Sequence, residues 1–409
     1  RKEVRQGQIG ATWEGTFGST ALEVATWGIR RELFNPIPGR VVDLKRNAGG
    51  VRGTIGGGFG MSNGSFQWRA GGEAEIQDDD RKNFDNDGGD PGALILDQDE
   101  RVRALAFFGQ ARLDSGDAIS ILAGFRFDNV GFSVSDRFIA AGDPDDSGSR
   151  TMPSFNPSIG VVFKPVDRVE LFGSLSRAFE TPTTTELANS RAGSGGFNPF
   201  LEPQVSLTLE AGFRGRNSLG SVEASIFSTE LTNGLVPFEV ETDPGRTYYR
   251  NAGRSSYMGW EVSLDGRVTP DASVRIAYTR INAEYVLFRT DDARFDGNRI
   301  PGLAPRRIDG VVNYTPGLGF VELRGLWQDR VPVDDANLAR ASPYFLMDLT
   351  VGADAVRFGN VGVSPFIGIS NLTDYEYTAS VVPNAFGSRY FEPGPGRTYR
   401  VGLGVTWGG

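Results

Sequence analysis

Apolar and polar residues alternate along most of this chain, with a period of two sustained over longer stretches than strands of soluble proteins usually run. Over 204–215, Val205, Leu207, Leu209, Ala211 and Phe213 alternate with Ser206, Thr208, Glu210, Gly212 and Arg214. Over 397–407, Tyr399, Val401, Leu403, Val405 and Trp407 alternate with Arg400, Gly402, Gly404 and Thr406. Over 117–129, Ile119, Ile121, Ala123, Phe125 and Phe127 alternate with Ser120, Gly124, Arg126 and Asp128. Fainter versions lie at 169–179, 221–229, 272–281, 321–328 and 345–352. One face of each segment is apolar and often ends in an aromatic, while the other carries Gly, Ser, Thr and charge. Helical periodicity is scarce. The pattern predicts an all-β chain, but a soluble sandwich and a membrane barrel would share it.

Connection lengths separate the two. About seventeen strand-like segments can be read, joined by turns that alternate between short and long. Short ones fall near Gly18, Asn63-Gly64, Ser115-Gly116, Pro165-Val166, Arg216–Ser218, Thr269-Pro270, Pro316-Gly317 and Arg357–Gly359. Long ones span 33–46, 78–100, 131–153, 180–203, 234–246, 288–303, 331–343 and 372–396, and hold most of the Asp, Asn and Pro. Placing every long loop on one side is how a transmembrane antiparallel up-and-down β-barrel is built, with short periplasmic turns and long extracellular loops. A sandwich or propeller has no reason to do so. The first strand and the last, which ends in Trp407, then both run towards the short-turn side. That makes an odd number of strands, whereas single-chain bacterial barrels have even numbers. The expectation is a single barrel domain over 1–409, N-terminally incomplete, with an odd number of strands preceding Arg1; a strand miscounted by one is the alternative.

Composition agrees and removes alternatives. Glycine contributes 55 of 409 residues and aromatics 11%, without the period of three that collagen requires. Mean hydropathy is −0.27, and no run of ~18 apolar residues could form a spanning helix. A net charge of −9 argues against nucleic acid as a partner. With no cysteine, disulfides, zinc knuckles and iron–sulfur clusters are excluded. With no histidine, the usual general base, the Ser-His-Asp triad and the haem ligand are missing too. No enzyme and no cofactor is expected.

Five motifs then occur in order. They are Leu175–Leu187 (LSRAFETPTTTEL), with Pro182 and Glu186; Asn198–Val205 (NPFLEPQV), with Asn198 and Pro199, followed by Glu210-Ala-Gly-Phe213; Arg250-Asn-Ala-Gly253, with Asn251 and Gly253, followed by Gly259-Trp-Glu261; Asp296–Gly302 (DGNRIPG), with Pro301, followed by Ala304-Pro-Arg306; and Asn371–Tyr377 (NLTDYEY), with Leu372 and Asp374, followed by Gly394-Pro-Gly-Arg397. In this order they resemble the TonB-dependent outer-membrane receptor family. The resemblance implies an outer-membrane barrel of about twenty-two strands with a plugged lumen, so that about five strands, again an odd number, lie outside the seventeen. It also implies active uptake driven through TonB. The family's plug domain and TonB box have no counterpart in these residues.

Among the loops, Asp78–Asp90 is the most acidic, and Asp85, Asp87 and Asp90 around Gly88-Gly89 offer oxygen atoms that calcium accepts. The spacing and terminal Glu of an EF-hand are absent, and a solvated loop explains the same residues. Gly53, Gly56–Gly58 and Gly60 fit a barrel strand better than a phosphate cradle, since no helix follows them. Stronger candidates are arginines and aromatics of the long loops: Arg177, Phe179, Arg191, Phe197 and Phe200; Tyr248, Tyr249 and Arg250; and Arg389, Tyr390 and Phe391. Anionic iron chelates are large and flat, and are met by planar guanidinium donors and aromatic faces. The same residues could instead form the interfacial aromatic girdle and a polar lumen wall.

The missing histidine also ranks the cargo. Haem receptors of the family carry histidines near segments resembling Phe179–Pro182 and Asn198–Pro203, and direct copper ligation lacks both Cys and His. A ferric siderophore or similar chelate, whose iron arrives already coordinated, is the leading substrate, with cobalamin and oligosaccharides open. The expected partners are that chelate, the TonB complex by way of the plug, and outer-membrane lipid and lipopolysaccharide. The competing reading is a plugless passive pore or a structural barrel of an envelope assembly. A soluble β-sandwich lectin is the weaker remainder.

Overall fold

A computed structural model describes residues 1–37, 39–140, 145–187, 197–241, 243–290, 292–354 and 356–408, with the backbone alone at 243–246. Eighteen strands join one antiparallel sheet. They are β1 (Glu3–Phe17), β2 (Thr20–Ile37), β3 (Arg40–Met61), β4 (Gly64–Asp87), β5 (Asp90–Ser115), β6 (Ile119–Asp136), β7 (Gly148–Val166), β8 (Val169–Glu180), β9 (Gln204–Arg216), β10 (Gly220–Val240), β11 (Asp243–Thr269), β12 (Ala272–Leu287), β13 (Arg306–Tyr314), β14 (Gly319–Gln328), β15 (Tyr344–Ala353), β16 (Val356–Phe358), β17 (Val361–Ser370) and β18 (Thr398–Trp407). Strand β16 continues β15 along the same neighbour, β17, so the two make one pass. The eighteen strands described therefore make seventeen passes, the number the alternation suggested.

Two compact units are distinguished. The first comprises Arg1–Val162, Ser174–Leu207 and Leu231–Ala252; the second comprises Phe163–Gly173, Thr208–Glu230 and Gly253–Gly409.

In the first unit, β1 to β6 form an unbroken up-and-down ladder. Its register sorts the side chains into two faces. On β4, Phe66, Trp68, Ala70, Gly72, Ala74 and Ile76 share one face and meet Leu113, Ala111, Gly109, Phe107, Leu105 and Arg103 of β5. Ten residues at ~3.4 Å each cover about 34 Å along the strand. At a usual barrel tilt of roughly 40° that is close to the ~25 Å lipid band of outer-membrane proteins. Charge begins where the band ends, at Arg103 and Asp78. The opposite face is polar. There Arg126 bonds Asp128 at 2.7 Å and approaches Glu73 at 3.7 Å, while Arg52 and Arg126 both lie over the Phe108 ring. The glycines of 53–60 lie on β3, inside this sheet. The Asn63-Gly64 turn needs its glycine: Gly64 has φ 144°, and a Cβ there would stand 1.9 Å from the Asp114 carbonyl oxygen.

The second unit repeats the sorting. Val262, Tyr278, Ile308, Trp327 and Phe345 form one cross-sheet row, and Leu264, Ile276, Gly310, Gly325 and Met347 form the next. Strand β18 pairs β17 from Thr398 to Trp407, and its apolar residues are exposed, Val401 at 81% and Trp407 at 83%.

Three spans read as long loops are instead strand. Strands β2 and β3 pair as far as Ile37↔Arg40, β4 and β5 as far as Asp87↔Asp90, and β10 runs to Val240. The acidic run is thus the upper part of β4, and its carboxylates face arginines. Arg46 holds Asp79 through two bonds of 2.8 and 2.6 Å, Arg101 holds Asp78, and Arg137 reaches Asp80 at 2.6 Å and Asp99 at 2.7 Å. Asp85 is paired in register with Arg40. Asp87 and Asp90 face each other across a turn closed by the Gly89 amide donating to Asn86 Oδ1. Among the described residues, no group of three acidic side chains is placed to hold a metal ion. Asp85, Asp87 and Asp90 thus lie in paired strand rather than in a solvated loop.

Phe107→Arg on the lipid-type face should cost about 2–4 kcal/mol. Gln110→Glu on the polar face of the same strand, opposite Arg69, should stay within about 0.5 kcal/mol. Urea titration of the protein folded into phospholipid bilayers measures both.

Candidate functional site

In the first unit, one long connection folds onto the polar face. After β8, Pro182 is buried and Thr183 caps the short helix α1 (Thr184–Leu187). The Glu186 amide donates to Thr183 Oγ1 at 3.3 Å, and the Thr183 amide donates to Glu186 Oε2 at 2.7 Å. This reciprocal pair is a capping box. It aims Leu187 into a cluster with Phe132, Val134, Met152, Phe197 and Leu201. Arg81, which lies 2.9 Å from Glu100 of the wall, also donates to Thr185 Oγ1 at 3.2 Å and ties α1 to the sheet.

The return segment is pinned as firmly. Asn198 donates its amide to Leu187 O and accepts the Phe200 amide on its side chain. Arg150 donates to Pro199 O and also holds Glu202. Asn251, on β11, donates to Glu202 O at 2.9 Å and Asn233 O at 2.7 Å, and accepts the Glu202 amide at 2.8 Å. One side chain therefore brings the 198–203 segment against the Tyr248–Arg250 segment. Tyr248 is buried and lies 5.8 Å from Phe238, while Arg250 sits 4.4 Å over that same ring. Tyr249 packs against the Leu187 cluster. Burial pushes its phenol above the usual value, and the charge of Glu186 adds to this. Phe200 is left 85% exposed.

Arg177 belongs to the wall. It donates to Ser154 Oγ at 2.9 Å and Asn156 Oδ1 at 3.0 Å, and Asn156 in turn donates to Asp128. Phe179 is half-buried and Phe197 is part of the cluster. Arg191 lies outside the described residues.

In the second unit the three late loops interlock. Tyr285 donates to buried Asp335 at 2.7 Å, Asn298 donates to the Asp335 carbonyl, and the Asp335 amide donates to Asn384. Tyr390 packs on Val331, Val333 and Ala341 and meets Phe391 edge-on at 5.9 Å. Arg389 donates to Phe386 O at 3.0 Å. Pro301 is buried, and next to it the Gly302 amide donates to Pro332 O. Gly253 leaves no room for a side chain: a Cβ would stand 2.9 Å from Leu287 O. Glu261 accepts from Thr279 at 3.2 Å. Asn371, with φ 52°, accepts the Tyr375 amide and donates to Tyr375 O and Pro395 O, while Leu372 donates its amide to Met347 O. Asp374 accepts the Arg397 amide at 2.7 Å, closing the last loop at the start of β18.

The sequence motifs thus turn out to be loop anchors; of the arginines and aromatics beside them, Phe200 is exposed while Phe197 and Tyr248 are buried. Unread in the sequence was the buried ion pairing of Arg46, Asp79, Arg81 and Glu100, because its partners come from three strands. The only local sign of it was the density of opposite charges over 78–103.

A lipid-type band, a polar inner face and long connections folded onto that face define an integral outer-membrane barrel protein. The chain belongs to the TonB dependent receptor-like, beta-barrel family, which it matches over residues 5–372. It is 25% identical over 298 residues to the probable TonB-dependent siderophore receptor PiuA of Acinetobacter baumannii, covering 67% of this chain and 37% of that protein. The ferrioxamine B receptor of Salmonella typhimurium is 24% identical over 312 residues, covering 73% of this chain and 40% of that one. The fold matches the unliganded ferric citrate transporter FecA with a TM-score of 0.81 at 16% identity, over 99% of this chain and 62% of that one. The chain therefore spans about two-fifths of the curated relatives' length and under two-thirds of that structure. It carries the outer-membrane beta-barrel domain of that family.

Asn251→Ala should cost about 1–3 kcal/mol and speed hydrogen exchange at the Glu202 amide, read by mass spectrometry. Asp296 gives a pH test. The Phe288 amide, helped by Arg289 and Arg294, holds its carboxyl down to about 2. A depressed carboxyl stabilises above its ordinary value and loses that contribution as pH falls through the folded one. Protection of the Phe288 amide should persist at pH 4 and disappear towards pH 2.

Proposed function

We propose that this barrel belongs to an active-transport receptor taking up a ferric siderophore or a similar large chelate, energised through TonB by way of a plug. The observation that carries the reading is the juxtaposition made by Asn251. It ties the segment that carries exposed Phe200 to the segment that carries Tyr249 and Arg250, which stacks on Phe238. An exposed ring with a half-buried phenol and guanidinium matches the flat aromatic and anionic parts of iron chelates. The absence of histidine and cysteine favours cargo whose metal is already coordinated. The relatives support the same class, being a probable siderophore receptor and a ferrioxamine B receptor by name. In this reading Arg177 and Phe179 line the route, and Arg389, Tyr390 and Phe391 offer a second set of contacts.

The test is equilibrium binding of a panel of ferric catecholates and hydroxamates to the intact receptor. Saturable binding is expected for at least one, and Arg250→Gln should weaken it about tenfold to a hundredfold, the worth of one charge-assisted hydrogen bond. Absence of saturable binding across the panel removes the substrate assignment. An open conductance in planar bilayers would favour a passive pore instead.

A further inference from the structure

On the polar face of β3 to β6, guanidinium and carboxylate are matched. Arg46 meets Asp79, Arg52 meets Glu73, Arg69 meets Glu23, Arg81 meets Glu100, Arg112 meets Asp114 and Arg126 meets Asp128, each within 4.0 Å. Arg31 of β2 shares this face and differs. It is half-buried, and its Nε is enclosed without an acceptor. Among the described residues, no carboxylate pairs with it.

The register shows why. One cross-strand row runs Gln6, Arg31, Arg46, Asp79, Glu100 and Val134. Arg31 therefore has a neutral amide on one side and a like charge on the other, and like charges so placed repel. The nearest carboxylate is already spent. Asp79 accepts two bonds from Arg46, at 2.8 and 2.6 Å, and a third from Gln77 at 3.1 Å. Glu100 accepts from Gln98 at 2.7 Å and lies 2.9 Å from Arg81. A guanidinium half out of water, with an enclosed N–H and no counter-ion, is a group that an arriving anion stabilises.

Its position says which anion arrives. Val134, at the end of the row, packs with Leu187 and against Tyr249. Arg81, two residues along β4 from Asp79, donates to Thr185 of α1. The folded connection that carries Phe200 therefore reaches β4, and β2 lies two strands, about 10 Å, beyond it. Arg31 stands at the margin of that connection, on the side of the wall where cargo would lie. A planar fork there takes anionic oxygen through paired bonds. A neutral chelate gains less from it, and a cationic one is repelled.

We propose, on the chelate reading above, that the cargo carries net negative charge and that Arg31 is the residue that selects for it.

Equilibrium binding to the intact receptor is measured for a ferric tris-catecholate, which is a polyanion, and for one linear ferric trihydroxamate in three forms. Its terminal amine is left free as an ammonium, acetylated, or succinylated, so that the sign of charge changes on a single scaffold. The anionic chelates should bind at least about tenfold more tightly than the neutral one, with an affinity that falls as salt rises, and the cationic form most weakly. Arg31→Gln should weaken binding of the anionic chelates about tenfold to a hundredfold, the worth of one charge-assisted hydrogen bond, and leave the neutral form unchanged. Arg31→Lys, which keeps the charge, should keep the order. Arg30→Gln, on the opposite face and paired with Glu32 at 3.1 Å, should match the parent. Binding that ignores the sign of the chelate, or an Arg31→Gln variant that keeps the parent's preference, overturns the proposal and leaves the chelate reading standing. Loss of the order in Arg31→Lys as well as in Arg31→Gln also overturns it, since charge is then not the selector. No saturable binding by any of the four removes both. Heat-modifiable gel migration shows whether each variant has folded; if Arg31→Gln has not, the order and the salt dependence of the parent decide.

Discussion

A backbone that crosses lipid must satisfy every N–H and C=O within the protein, and this requirement organises the whole chain. The answer here is the antiparallel ladder, carried from β1 to β6 in one unit and from β11 to β18 in the other, with register shifts near Phe84, Arg254 and Arg267. Once the ladder exists, side chains have no freedom of face. Each residue points to lipid or to the interior by parity alone, so Phe107 and Phe108, neighbours in sequence, enter different media. The first joins the lipid-type band and the second lies under two guanidinium groups.

The same geometry determines where charge is tolerated and what it does. Cross-strand partners stand close enough for side chains to interact directly, so a strand rich in Asp remains stable when its neighbours carry Arg at the opposing positions. Strand β4 meets that condition with Arg46 on β3 and Arg101 on β5, and Arg137, just past the end of β6, reaches Asp80 as well. At the rim of the second unit the ladder sets arginine against arginine. That is an arrangement with like charges face to face, which the ladder tolerates at its wet end.

Motif and surface have separate tasks in the loops. Glu186, Asn198, Asn251, Asn371 and Asp374 spend their hydrogen bonds on backbone groups, so each holds a connection in one course. A buried amide left unpaired costs about 1–3 kcal/mol, and an amide or carboxylate side chain that reaches it is hard to replace. Phe200, by contrast, is presented rather than used as an anchor.

Much of the fold was legible because strand parity is a local property. Val205 to Phe213 or Tyr399 to Trp407 announces a lipid face without reference to any other residue. The short turns were legible too, since Asn63-Gly64 needs a backbone conformation that a side chain would obstruct. Above the lipid, both faces of a strand are wet and no apolar alternation marks it, so 78–100 looked like a solvated loop. Only pairing with residues 33 positions away, as in Arg46 with Asp79, showed it to be sheet. The candidate site divided in the same way. Sequence alone selected the residue types and the anchoring motifs. The tertiary structure decided that Phe197 and Tyr248 are buried, that Arg177 belongs to the wall and that Phe200 is presented, because burial depends on what folds back from elsewhere in the chain.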